Sequence, residues 1–131
     1  MNRLRSIRSV ATALVALAFV SSVAVAAVVL HDLTGTWDFE VVTENGTGTP
    51  IVKLKQEGDK LTGTYESRMM GVRALSGNVK GDSVIFALAP AGESTVVMTY
   101  AGRIIDADRL EGTVDFGGMG GATFRGMRKK N

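Results

Sequence analysis

From Leu33 onward, apolar and polar residues alternate with a period of two. Leu33, Gly35, Trp37, Phe39 and Val41 alternate with Thr34, Thr36, Asp38 and Glu40. Such alternation marks a strand with one dry face and one wet face. The inward set continues as Val52, Leu54 and Gln56, then Leu61, Gly63, Tyr65 and Ser67, then Leu75, Gly77 and Val79. It resumes as Val84, Phe86 and Leu88, then Val96, Met98, Tyr100, Gly102 and Ile104. Leu110, Gly112, Val114 and Phe116 follow, and Ala122, Phe124 and Gly126 complete it. Turn formers separate the segments: ENGTG, EGDK, RMMG, KGDS, APAG, DAD and GGMGG. Eight strands with short connections predict an all-β, eight-stranded antiparallel up-and-down β-barrel, because closure removes both sheet edges.

The repeated outline apolar–x–Gly–x, as in LTGTW (33–37), LTGTY (61–65) and LSGNV (75–79), fits that barrel. Each glycine shares the parity of the apolar residues, so it points inward. There it permits sharp coiling and relieves crowding at the axis. The outward set is mostly Thr, Ser, Lys, Glu, Asp and Asn, which argues against a barrel embedded in lipid.

The first thirty residues follow a different rule. Arg3, Arg5 and Arg8 precede an uncharged apolar run, Val10–Leu30, that ends in small residues. This reads as a secretory signal helix cleaved after Ala26. Uncleaved, the run is long enough to act as a membrane anchor. The expected organisation is a signal at 1–26, a linker at 27–32, the barrel at 33–128 and a basic tail at 129–131. The three signal arginines outweigh the formal net charge of +2, so the mature part is left at about −1. A nucleic-acid partner loses its electrostatic support. The chain has no Cys, so the barrel must hold without disulfides. A periplasmic or secreted bacterial location is expected.

In a meander, alternate loops share one end. EGDK, KGDS and the DAD turn gather at one end and are short and charged. TENGTGTP, RMMG, APAGE and GGMGG gather at the other and read as longer, Gly-rich loops. Barrel mouths favour ligand pockets with apolar walls and a few placed polar groups. The candidate ligand-binding residues there are Thr43, Tyr65, Ser67 and Arg73, and Met69, Met70 and Met119 form a candidate interaction rim. Methionine suits surfaces that adapt to apolar partners. The expected function is a non-catalytic module holding a small apolar or amphipathic ligand. The alternative is an envelope module with a packed lumen that docks a protein.

Chemistry is scarce. The single His, His31, stands before the first strand and reads as a solvated linker residue. No His/Cys metal set or Ser–His–Asp arrangement can be assembled, so no cofactor, metal or catalytic residue is expected. Asp106 and Asp108 lack the rest of a calcium loop and read as turn residues.

GTW (35–37) followed by LTGTYES (61–67) resembles the avidin and streptavidin family, and more broadly a calycin-like barrel. The resemblance implies an eight-stranded barrel with hydroxyl donors at Tyr65, Ser67 and Thr43, the positions that match biotin contacts in that family. The chain departs from the family where an Asn is replaced by Phe39. Trp37 is also the sole Trp, so the stacking tryptophans are missing. The resemblance therefore implies the barrel rather than biotin. The order LTGTW…LTGT…LSGNVKGDSVIF…LEGTVDFGGMGGATFRG is also similar to a small β-module of exported bacterial proteins. That module occurs alone or appended to secreted amidohydrolase-like enzymes.

Overall fold

The computed structural model describes residues 31–90 and 95–130. The signal and its cleavage site lie outside the described residues, as does most of the linker. Nine strands are formed: β1 (Gly35–Thr43), β2 (Gly46–Gly48), β3 (Ile51–Glu57), β4 (Lys60–Ser67) and β5 (Gly71–Lys80), then β6 (Ser83–Leu88), β7 (Met98–Asp106), β8 (Arg109–Phe116) and β9 (Gly121–Arg128). All neighbours are antiparallel, and β1 pairs with β9 from Trp37↔Arg128 to Val42↔Thr123, which closes the sheet.

The barrel has eight staves because β2 and β3 are two parts of one. Both pair with β1 in a single continuous register, from Thr43↔Gly46 through Asp38↔Ile51 to Gly35↔Leu54. Between them stands Pro50, which has no N–H to donate. Its carbonyl still accepts from Phe39 N at 3.0 Å, so the two parts stay in line. The segment TENGTGTP, expected as a long loop, is therefore a tight hairpin turning at Glu44 and Asn45. Val96, expected in a strand, lies before β7, which starts at Met98.

Most of the expected inward positions form the core, whereas Val96 is exposed. Trp37, Phe39, Val52, Leu61, Tyr65, Phe86, Tyr100, Leu110, Val114 and Phe124 are all buried. No polar or charged residue is buried among the described residues. The rings interlock: Phe39 stacks on Phe124 at 5.2 Å and Phe86 on Tyr100 at 4.8 Å, while Tyr100 meets Phe124 edge-on at 5.1 Å. Such contacts add to the burial of large apolar surface.

The inward glycines do more than relieve the axis. A Cβ at Gly63 would collide with the backbone carbonyl of Lys53 on the neighbouring strand, and the φ of +156° at Gly63 is one that other residues rarely adopt. The close approach is between adjacent strands, which tightens the coil. At Gly126 the expected reason holds: a Cβ would lie 2.6 Å from the Phe39 ring.

Candidate functional site

The two ends of the barrel are built differently. At the end of the EGDK, KGDS and DAD turns, the chain before β1 folds in as a plug. Leu33 is fully buried, and its N–H donates to Gln56 Oε1 at 2.9 Å. Its carbonyl accepts from Trp37 Nε1 at 2.9 Å. Arg128 clamps this plug. Its Nη1 donates to the Thr34 carbonyl at 2.6 Å and its Nη2 to the Asp32 carbonyl at 2.7 Å. Its Nε and Nη2 also reach the Ala107 carbonyl, and the guanidinium lies 4.6 Å from the Trp37 ring centre. Only a planar fork with several donors can serve three carbonyls and an aromatic face together. The Asp32 carboxylate accepts from Thr34 N, which holds its pKa below the usual value.

His31 differs from its expected role as a solvated linker residue. Its side chain is mostly covered, and Nε2 lies 3.4 Å from Asp82 Oδ1 at the plugged end. Asp106 behaves as a turn residue. It accepts from Asp108 N and pairs with Arg109, and the hydrogen bond from Asp108 N leads in lowering its pKa.

The opposite end is built from partly buried apolar side chains. The partly buried hydrophobic residues packed against the core are Met70, Met98, Phe116 and Ala122, and all four stand at this end. Met98 pairs across the ladder with Leu88 on one side and Phe116 on the other. The GGMGG segment is an ordered turn: Phe116 N donates to the Gly120 carbonyl at 3.0 Å, and Gly118 N donates to Asp115 Oδ1. It carries Met119, which is 75% exposed, and the β4–β5 turn carries Met69, which is 94% exposed.

The four candidate polar residues do not converge as free groups. Thr43 sits on the β1–β2 hairpin, where its Oγ1 donates to the Gly46 carbonyl and accepts from Asn45 N. Ser67 Oγ accepts from Met69 N and shapes the β4–β5 turn. Arg73 is half-buried at the rim. Its Nε donates to the Met70 carbonyl at 3.2 Å, and its Nη1 reaches the Ala89 carbonyl at 3.5 Å. Arg73 thus ties two rim loops together and keeps its remaining guanidinium donors.

Tyr65 lies deeper and meets Tyr100, another inward position of the alternating pattern. Its hydroxyl is 2.7 Å from the Tyr100 hydroxyl, and both residues are buried. One hydroxyl donates and the other accepts, so the pair retains one further O–H proton. Burial raises the pKa of Tyr65, and burial followed by the neighbouring Tyr65 raises that of Tyr100 well beyond the usual phenol range. Both stay neutral donors and acceptors. The strand registers put this pair one layer below Ser67 and Met98, as a floor beneath that end. Met98, Phe116 and Tyr100 were findable in the sequence as the inward positions nearest the mouth. Their parity carries that signal.

Among the described residues, no three His, Cys, Asp or Glu side chains gather in a metal-binding group. No protein-family model matches the chain, and no curated protein matches it. Among solved structures it is similar to the structure of EF1p2_mFAP2b bound to DFHBI. The TM-score is 0.54 at 15% sequence identity, and the match covers 74% of this chain and 94% of that one. At that identity the likeness is one of fold.

Proposed function

We propose that this chain is an exported, non-catalytic binding module that takes a small apolar or amphipathic molecule at the barrel mouth opposite the plug. The observation that carries this reading is the asymmetry of the barrel. Leu33 and Arg128 plug one end, while Met70, Met98, Phe116 and Ala122 stand half-covered at the other. Half-covered apolar side chains above a packed floor gain from a ligand that finishes their burial. Arg73 and the Tyr65–Tyr100 pair supply orienting donors, which suits a ligand with one polar or anionic terminus. The likeness to a barrel solved with DFHBI bound supports the reading, since that fold there carries a ligand. The apolar run at Val10–Leu30 supports export, and an uncleaved run would tether the plugged end to the membrane. The ligand then enters from the side away from the bilayer.

A second reading rests on the exposure of Met69 and Met119, which suits docking of an envelope protein on the rim. One titration separates the two. Anilinonaphthalene sulfonate, an apolar dye with an anionic end, should bind saturably at one site per chain. Arg73→Gln and Met98→Asn should weaken it, while Met69→Asp combined with Met119→Asp should leave it unchanged. Binding that is absent, or that follows the rim variants alone, would refute the ligand reading. Native mass spectrometry of protein from its own host would then identify the natural ligand by its added mass.

A further inference from the structure

The outer wall of β7, β8, β9 and β1 carries a row of alternating charge. Arg103 stands directly opposite Glu111, Glu111 opposite Arg125, and Arg125 opposite Glu40. All four are exposed. Opposite charges on adjacent strands favour one another. Yet the ion pairs within 4.0 Å among the described residues are formed by other side chains. The charged ends of the row therefore remain available.

One step toward the mouth runs a second row of shorter side chains: Ala101, Thr113, Thr123 and Val42, each opposite the next. The two rows line one shallow groove in the outer wall. It lies where Gly102 and Gly112 let β7 and β8 approach closely. Val42 and Ile105 expose apolar surface at its margins, 44% and 46% respectively.

We infer that this wall is a homodimer interface, formed against a second copy about a two-fold axis that runs along the strands between β8 and β9. The order of the charges carries the pairing. Read backwards, plus–minus–plus–minus becomes minus–plus–minus–plus. A two-fold axis along the strands reverses the row, so Arg103 faces Glu40 of the second copy and Glu111 faces its Arg125. A two-fold contact must be complementary to itself, and an even row of alternating sign meets that condition. A uniformly charged partner would meet repulsion at every second position, so nucleic acid or an anionic surface does not fit. The same axis sets Ala101 against Val42 and Thr113 against Thr123, small enough for the two walls to close. Both rows lie on the outer wall, so the contact leaves the two mouths uncovered. This inference stands apart from the nature of the mouth's ligand.

Two charge variants test it: an acidic row made by Arg103→Glu with Arg125→Glu, and a basic row made by Glu40→Lys with Glu111→Lys. Sedimentation of the full chain in non-ionic detergent keeps the N-terminal segment common to every sample. The wild type should dimerise, and the dimer should weaken as salt rises. Each variant alone should associate at least about tenfold more weakly. An equal mixture should recover a one-to-one heterodimer. Circular dichroism checks that each barrel is folded. Thr113→Lys leaves the row intact and blocks close approach at the centre, so it should also abolish the dimer if a charge variant fails to fold. A monomeric wild type would overturn the inference. So would folded variants that self-associate like the wild type, or a mixture that stays monomeric.

Discussion

Replacing Tyr65 by Phe removes one hydroxyl from a buried pair and leaves the other behind. In the native barrel the two oxygens are 2.7 Å apart and each is the other's partner. Tyr65→Phe loses that hydrogen bond, a net contribution of about 1 kcal/mol. It also leaves the Tyr100 hydroxyl buried without a partner, a cost of about 1–3 kcal/mol. The two figures overlap, so the expected loss is about 1–3 kcal/mol, and Tyr100→Phe should cost a similar amount. The double variant behaves differently. With both oxygens gone no polar group is stranded, and two Phe rings occupy almost the same space. Its stability should fall within about 1 kcal/mol of the wild type. The cycle therefore has a coupling of about 1–3 kcal/mol, with the double variant more stable than at least one single variant. Urea unfolding followed by Trp37 emission reads all four proteins, because Trp37 is the sole Trp and fully buried. In a thermal melt each kcal/mol should appear as about 4–8 °C for a domain of this size. Losses that simply add would refute the reasoning. Water would then be serving both hydroxyls, and the floor of the mouth would be wet.

The same pair predicts an alkaline limit. Both tyrosines of the chain have a raised pKa in the folded state, so above a pH of about 10 the unfolded chain loses protons that the barrel retains. Stability should fall as pH rises past that value, and phenolate absorbance should appear only together with unfolding. Absorbance that rises while Trp37 emission stays native would place a phenol in solvent. Arg128→Lys should fail to rescue Arg128→Ala, because one ammonium cannot span the Asp32, Thr34 and Ala107 carbonyls; hydrogen exchange at residues 33–37 should rise in both. Gly126→Ala should cost about 1–3 kcal/mol by forcing the Phe39 ring off Phe124, read as a drop in melting temperature. Trp37→Ala should cost about 3–5 kcal/mol in calorimetry, and a loss near zero would place the ring outside the core.

Much of the site was legible only in outline. The sequence assigns Tyr65, Ser67, Arg73 and the methionines to one end, because strand direction alternates and loop order follows from it. It could not show that Thr43 and Ser67 direct their hydroxyls at their own turns, since either group serves a turn or a ligand equally well. Nor could it separate Tyr65 as a ligand donor from Tyr65 as the partner of Tyr100. The two residues are 35 positions apart and meet only across the lumen. The plug was missed for a related reason. Leu33 reads as the first residue of a strand, and only closure of the barrel turns it into a stopper held from the far end of the chain by Arg128.

The sequence alone determined which residues face inward, how many staves the barrel has and which turns share an end. These follow from a period of two and from short connections, both local properties of the chain. The tertiary structure decided what closes one end, what lies beneath the other and which charges line up across four strands. Each of those depends on register between segments distant in sequence, and register is set by packing around the whole barrel rather than by any one strand.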